Sequence, residues 1–315
     1  MKFAHITHGD DPDGLVCAAL LRRLFGTETI LANYDDLEEA LGGIEPGYDS
    51  LYITDLNLRE ALVPQIERIR GFATVTIIDH HPMEPTLSAW LRSLGVEIIH
   101  DTSDCASALV YDHFKEQLEK DAARLAAYAA VNDMFEDGPI ASKLMDGMDR
   151  KFVGHEALLL GSALGSDQSK PFKERIVEEL SRYAYPHRIR GVVEAAMSQL
   201  EKIVRIKETI PGRAKILGRL AYMECGEDLS TGEVANIVMD TLLVPVGLCW
   251  KEQGEMVNIS MRGERRLPEH LGDIASRLSK RHGGFGGGHA RASGAKVPRA
   301  KLDAFLADLA GELNP

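Results

Sequence analysis

The sequence predicts an α/β fold: a doubly wound, mainly parallel sheet, joined by a helical linker to a smaller α/β domain. Three observations carry this expectation. Short apolar, β-branched runs alternate with amphipathic helical stretches through the first half of the chain, the pattern of successive βαβ units. Several of those runs stop at Asp or Asp/His, and the carboxyl ends of strands are where open α/β sheets bind ligands. Past a break at Tyr185-Pro186-His187 and a long helical stretch, the texture changes to short strands around a helix. These shifts set the expected boundaries at residues 1–185, a linker helix at 186–211 and a second domain at 212–315.

Taken in order, Phe3 to Thr7 is a short strand, followed by His8-Gly9-Asp10-Asp11-Pro12-Asp13-Gly14 and then a helix carrying Leu15, Ala18, Ala19, Leu21, Leu24 and Phe25. The glycines let the backbone turn, so that His8 and the acids converge. One acid would suffice to cap the helix, and three beside a histidine exceed that need. Ile30 to Tyr34 reads as a second strand and Ser50 to Thr54 as a third, ending at Asp55. Val75-Thr76-Ile77-Ile78 stops at Asp79, His80 and His81, and Pro82 prevents simple continuation. A further strand, Val96 to Ile99, ends near His100 and Asp101. An alanine-rich helix, Arg124 to Val131, closes on Asn132 and Asp133, where the acid either points inward or marks the helix end.

The helical pattern persists over Phe152 to Leu164 and Phe172 to Tyr183, and a long connecting helix is expected over Val192 to Ile206, ended before Pro211-Gly212. Strands are then expected over Ala214 to Met223, Leu243 to Trp250 and Met256 to Met261, with a helix near Val234 to Leu242. The last strand delivers Arg262, a side chain suited to bidentate phosphate contact. From Gly283 to Gly288 five of six residues are glycine, followed by His289. Such a segment reads either as a flexible turn or as a nest whose backbone N–H groups approach an anion.

Composition narrows the class. Hydrophobic residues make up 44% and charged residues 27% of 315, which suits a soluble globular chain of about two domains. Four cysteines without a CxxC spacing argue against a disulfide framework or zinc ribbon and fit a reducing compartment. No apolar run approaches the ~20 residues that span a bilayer, and no signal-type segment opens the sequence, so a cytoplasmic protein is expected. Net charge is -12, which disfavours nonspecific wrapping of long nucleic acid. The charge is uneven: Ile259 to Lys301 holds ten Lys/Arg against three Asp/Glu. A basic segment in one domain and an acidic body in the other suggest metal on one side and an anionic ligand between them.

Together, HGDDPDG, the TD at 54–55, IDHH at 78–81, ND at 132–133, ISMR at 259–262 and GGGHARASG at 286–294 resemble the DHH phosphoesterase family with its DHH-associated C-terminal domain. Only DHH and GGGH are specific alone; six motifs in order over nearly the whole chain are far more so. The pairing with a GGGH-type domain looks like oligoribonucleases (nanoRNases) and RecJ-type exonucleases, and unlike family II inorganic pyrophosphatases. One departure concerns the first motif. Aligning on D-x-D-G selects Asp11 and Asp13, while Asp10 stands as an alternative to Asp11.

The resemblance implies a metal-binding catalytic domain, a substrate-binding second domain and two metals in the cleft between them. His8, Asp11 and Asp55 would hold one ion, and Asp13, Asp55, His80 and Asp133 the other, with Asp55 bridging. Asp79 would orient an imidazole, and His81 would contact phosphate or donate a proton. Mixed His and carboxylate ligands suit manganese, with magnesium, cobalt or iron as alternatives. Two such cations about 4 Å apart activate a bridging water for in-line attack on phosphorus. Arg262, Gly286, Gly287, Gly288 and His289 would grip a substrate phosphate or terminal nucleotide.

The expected activity is hydrolysis of short oligonucleotides or dinucleotides to nucleoside monophosphates, with no membrane partner and a homodimer left open. The alternatives are cleavage of cyclic dinucleotides or 3′-phosphoadenosine 5′-phosphate, a RecJ-type single-strand exonuclease, and a nucleotide-binding regulator with a dead metal centre.

Overall fold

The computed structural model describes residues 1–226 and 229–313. The chain divides into two compact units, 1–199 and 200–315. The first is built in the expected alternation: β1 (Phe3–His8), α1 (Pro12–Phe25), β2 (Glu28–Ala32), α2 (Leu37–Gly42), β3 (Ser50–Thr54), α3 (Val63–Arg70), β4 (Thr74–Asp79), α4 (Pro85–Ser93) and β5 (Glu97–His100). Five helices follow: α5 (Ala106–Phe114), α6 (Ala122–Asn132), α7 (Ala141–Met145), α8 (Arg150–Ser166) and α9 (Lys170–Ser181).

The five strands form one parallel sheet in the order β2-β1-β3-β4-β5. Successive strand residues face opposite sides. Ile77 therefore packs with Ile66, Ile69, Leu87 and Leu91 of α3 and α4, while Ile78 packs with Leu15, Leu109, Leu125 and Leu160 on the opposite face. Both faces are covered, as a doubly wound sheet requires, and all five strands end on one rim.

The expected linker helix is longer than its periodicity suggested. α10 runs Val192–Arg213 and takes in Pro211 near its last turn. A proline there removes one hydrogen bond where the helix is already ending, so it is tolerated where a mid-helix proline is not. The division between the units falls within this helix.

The second unit contains β6 (Lys215–Leu217), β7 (Leu220–Glu224), α11 (Thr231–Leu242), β8 (Val246–Gln253), β9 (Met256–Gly263), α12 (Leu271–Arg281), β10 (Phe285–Gly288), β11 (Ala292–Pro298) and α13 (Leu302–Leu313). Its six-stranded sheet, order β10-β11-β9-β8-β7-β6, is antiparallel except where β7 pairs with β8. The single strand expected over 214–223 is two strands, because Gly218 (φ +61°) turns the chain back. α11 packs on one sheet face through Val234, Ala235 and Val238, against Cys249; α12 and α13 pack on the other with Leu248.

The glycine-rich segment also differs from the expected turn or nest. Phe285–Gly288 is an edge strand paired to β11, and a Cβ on Gly286 or Gly288 would come within 2.7 Å of the Gly294 or Ala292 carbonyl oxygen. A Cβ on Gly272 would stand 2.0 Å from the Gly288 carbonyl oxygen. α12 thus lies against β10 with backbone touching backbone, which no larger residue permits. No helix of the described residues is long and apolar enough to cross a membrane.

Candidate metal centre

The rim of the first sheet gathers the polar residues that the strand ends deliver. β1 ends in His8, β3 is followed by Asp55, and β4 ends in Asp79 and leads into His80 and His81. α1 begins so close to β1 that a Cβ on Gly14 would meet the His8 carbonyl oxygen at 2.0 Å. Gly14 therefore allows a close approach, whereas the sequence suggested a turn. It also donates to Asp11 Oδ1 (3.1 Å), making Asp11 the N-cap of α1. Asp133 arrives from the end of α6, whose last residue, Asn132, is locked by bonds to the Tyr128 and Ala157 carbonyls.

Three groups of potential ligand atoms result, each within 4.8 Å of one another: His8, Asp11 and Asp55; Asp13, His80 and Asp133; and Asp55, Asp79, His80 and His81. His8 Nδ1 is 2.8 Å from Asp11 Oδ2 and 3.9 Å from Asp55 Oδ2. His80 Nε2 is 3.3 Å from Asp55 Oδ1 and 3.5 Å from Asp133 Oδ2. Asp55 thus faces both sets. Its backbone is left-handed (φ +55°), an unfavourable state for a residue with a side chain, and Met134 after Asp133 shares it (φ +59°).

Asp10, the alternative to Asp11, is turned elsewhere: its Oδ1 lies 2.6 Å from Lys173 Nζ and its carbonyl accepts from Gln168. Asp13 accepts from the Ala106 and Ser107 N–H groups at the start of α5, at 2.8 and 2.9 Å. Asp79 Oδ1 accepts from His81 Nδ1 at 2.9 Å.

Crowding these acids in a buried site is electrostatically costly. Asp13, Asp55 and Asp79 are at most 2% exposed, and the Oδ2 atoms of Asp55, Asp79 and Asp133 are buried without a hydrogen bond among the described residues. Burial first, then the charges of Asp13, Asp11, Asp79 and Asp133, push the Asp55 carboxyl well above the usual carboxylate range. Burial, then Asp13 and Asp11, lifts Asp133 to about 8. Burial also raises Asp13, against the opposing pull of His80, and lowers His80 itself. At His8 burial acts downward, but the hydrogen bond and charge of Asp11 prevail and raise it. Unpaired buried oxygens among like charges are what a divalent cation would neutralise, and mixed imidazole and carboxylate donors suit a first-row metal. The residues fit a metal centre.

Several residues here escaped the sequence reading. Tyr34 stacks on His8 (ring centroids 5.2 Å) and bonds His81 Nε2 at 3.0 Å; Phe135 packs its edge on His80 at 5.1 Å; Lys173 steadies the 8–14 segment through Asp10. Tyr34 lies just past β2, and it is the strand order that brings β2 beside β1 on the same rim.

In the second unit Arg262 is half-buried at the end of β9, opposite Ala292 of β11. Its guanidinium lies over Gly232 in the first turn of α11, where a Cβ would meet Nη2 at 2.4 Å. Ser260 bonds Thr231 (2.8 Å), and the Ser293 hydroxyl is buried without a hydrogen bond among the described residues. His289 is exposed in the β10–β11 turn, its N–H donating to the Ala292 carbonyl. Gly286, Gly287 and Gly288 lie in β10, as described above.

The DHHA1 domain matches residues 218–314. No curated protein sequence is detectably similar to the chain. Among solved structures, the pGpG-specific phosphodiesterase PggH from Vibrio cholerae shares 15% identity over 99% of both chains, with a TM-score of 0.63. The DHH domain of a member of the s1p family of ribosomal proteins shares 16% identity over 99% of this chain and 86% of its own, TM-score 0.70. RecJ from Thermus thermophilus in complex with Mn2+ shares 14% identity over 99% of this chain, TM-score 0.64; this chain spans 52% of RecJ's length. A second RecJ structure from the same organism holds Mg2+. Residues 218–314 thus match a DHHA1 domain, and the chain shares its fold with these solved structures.

Proposed function

We propose that the chain is a divalent-metal-dependent phosphodiesterase that hydrolyses dinucleotides and short oligonucleotides to nucleoside monophosphates. The observation that carries this reading is the cluster at the sheet rim, where Asp55 faces His8 and Asp11 on one side and His80 on the other. His8, Asp11 and Asp55 would hold one cation; Asp13, Asp55, His80 and Asp133 would hold the other. Such a pair, manganese foremost, would supply a water of lowered pKa and would neutralise a phosphate oxygen.

The chain's own groups do the rest. Asp79 holds His81 by its Nδ1, which leaves Nε2 to contact phosphate or, once protonated, to deliver a proton to the leaving ribose oxygen. Arg262, with the Gly286–Gly288 strand and His289 nearby in its own unit, would bind a phosphate or terminal nucleotide. The match to PggH over 99% of both chains supports a linear dinucleotide in particular.

A panel of pGpG, cyclic dinucleotides, 3′-phosphoadenosine 5′-phosphate and long single-stranded DNA, each with Mn2+, tests this. Fastest turnover of pGpG to GMP is expected. Equal or faster degradation of long DNA overturns it in favour of a RecJ-type exonuclease, and preference for a cyclic dinucleotide or the bisphosphate overturns it in favour of a signalling-nucleotide phosphoesterase.

A further inference from the structure

Both ring nitrogens of His81 are engaged. The Asp79 carboxylate, 1% exposed, accepts from Nδ1 at 2.9 Å, which puts the ring proton on that nitrogen. Nε2 is left as an acceptor, and the Tyr34 hydroxyl stands 3.0 Å from it. Each backbone is pinned as well: His100 Nε2 donates to the His81 carbonyl at 2.6 Å, and Arg59 Nη2 donates to the Tyr34 carbonyl at 3.0 Å. Tyr34 is 39% exposed, so burial does not oblige its hydroxyl to find a protein partner; water would satisfy it. Its ring also lies on His8, with planes 29° apart.

We propose that Tyr34 is a positioning residue for His81, the third member of a hydrogen-bonded chain running Asp79–His81–Tyr34. The kinetic consequence rests on the phosphodiesterase reading; the geometry does not. Adjacent histidines in the same segment have opposite assignments because of this chain. His80 turns Nε2 to Asp55 and Asp133, where an ion would sit. His81 has its single lone-pair nitrogen covered by the Tyr34 hydroxyl, which keeps it from coordinating that ion and holds the imidazole plane fixed. When substrate displaces the hydroxyl, Nε2 takes a proton from solvent, and His81 then meets the phosphate or leaving-group oxygen as a donor that is already oriented.

The experiment compares the full-length chain with Tyr34→Phe, His81→Ala and the double variant. Phenylalanine keeps the ring on His8 and removes only the hydroxyl. Calorimetry with Mn2+ alone is expected to give affinities within about twofold of the parent, while kcat for pGpG falls about tenfold and KM barely moves. In the His81→Ala background the Tyr34 change should add nothing, because its effect passes through His81. An unchanged kcat, a loss confined to Mn2+ affinity, or losses that multiply in the double variant would each overturn the proposal.

Long-range 15N NMR of the metal-free chain decides the point without turnover. The His81 Nε2 resonance should move toward that of a free acceptor in Tyr34→Phe, and an unmoved resonance refutes the chain. A parent protein that hydrolyses no phosphodiester would sink the functional reading and leave this NMR result standing.

Discussion

Asp55 Oδ1 and His80 Nε2 lie 3.3 Å apart just beyond the ends of the neighbouring parallel strands β3 and β4. Their closeness is a consequence of register: Thr54 pairs with Ile78, so the next residues of both strands emerge on one rim. Asp55 also faces His8 at the end of β1, so in the proposed two-ion arrangement it is the acid shared by both sites. Asp55→Asn should therefore lower Mn2+ binding at both sites and reduce turnover at least 100-fold, a loss that calorimetry and steady-state kinetics both read. In chelator the same variant should be more stable by about 1 kcal/mol, since it removes one of several crowded acids, and a urea midpoint measures this.

The raised carboxyl groups predict an unusual pH dependence. Asp133 titrates at about 8, above the ordinary value for a free Asp, so between those limits the folded form holds a proton that the unfolded chain releases. Stability of the metal-free protein should accordingly fall as pH rises through that window, and the raised Asp13 and Asp55 act in the same direction. Cation binding displaces these protons, so Mn2+ affinity should rise over the same range. Urea midpoints at about pH 5 and about pH 8, with chelator and with Mn2+, check both signs.

Much of this centre was legible because strand ends announce themselves. A run such as Thr74–Asp79 that passes from apolar to Asp-His-His can only put those groups at a sheet rim, and His8, Asp55 and Asp79 follow the same logic. Tyr34 was not legible, because its contacts come from strand order: β2 lies beside β1, which brings a tyrosine to His8 and His81. Nor was the division between Asp10 and Asp11, which depends on Lys173, a residue 163 positions away in sequence. The glycines of β10 misled for a related reason. A glycine run reads as freedom to turn, whereas at Gly286 and Gly288 a Cβ would press on the β11 backbone, and at Gly272 of α12 one would press on β10.

That contact has a measurable cost. Gly272→Ala would drive a methyl group into the Gly288 carbonyl, with a Cβ to oxygen distance of 2.0 Å before relaxation. A destabilisation of about 2 kcal/mol or more is expected, seen as a lower denaturant midpoint. Gly287→Ala, with nothing within 4 Å of its Cβ, should cost much less and serves as the control.

Lys173→Met should act on the metal centre from outside it. The lysine is nearly buried, and its 2.6 Å bond to Asp10 anchors the segment that carries His8, Asp11 and Asp13. Removing the charge should cost about 1 kcal/mol of stability, because Asp10 is itself 44% exposed and can turn to water. Mn2+ affinity should fall several-fold, and Lys173→Arg should restore part of it; calorimetry reads both.

The central claim is that the cluster around Asp55 hydrolyses phosphodiesters only when cations occupy it. Turnover of pGpG by the metal-stripped chain, followed as Mn2+ is added, tests this most directly. The account predicts no GMP in chelator, activity that rises with added Mn2+ and saturates near two ions per chain, and none at any concentration for Asp55→Asn. Equal turnover with chelator and with Mn2+, or no turnover by a chain that has bound its Mn2+, would contradict it.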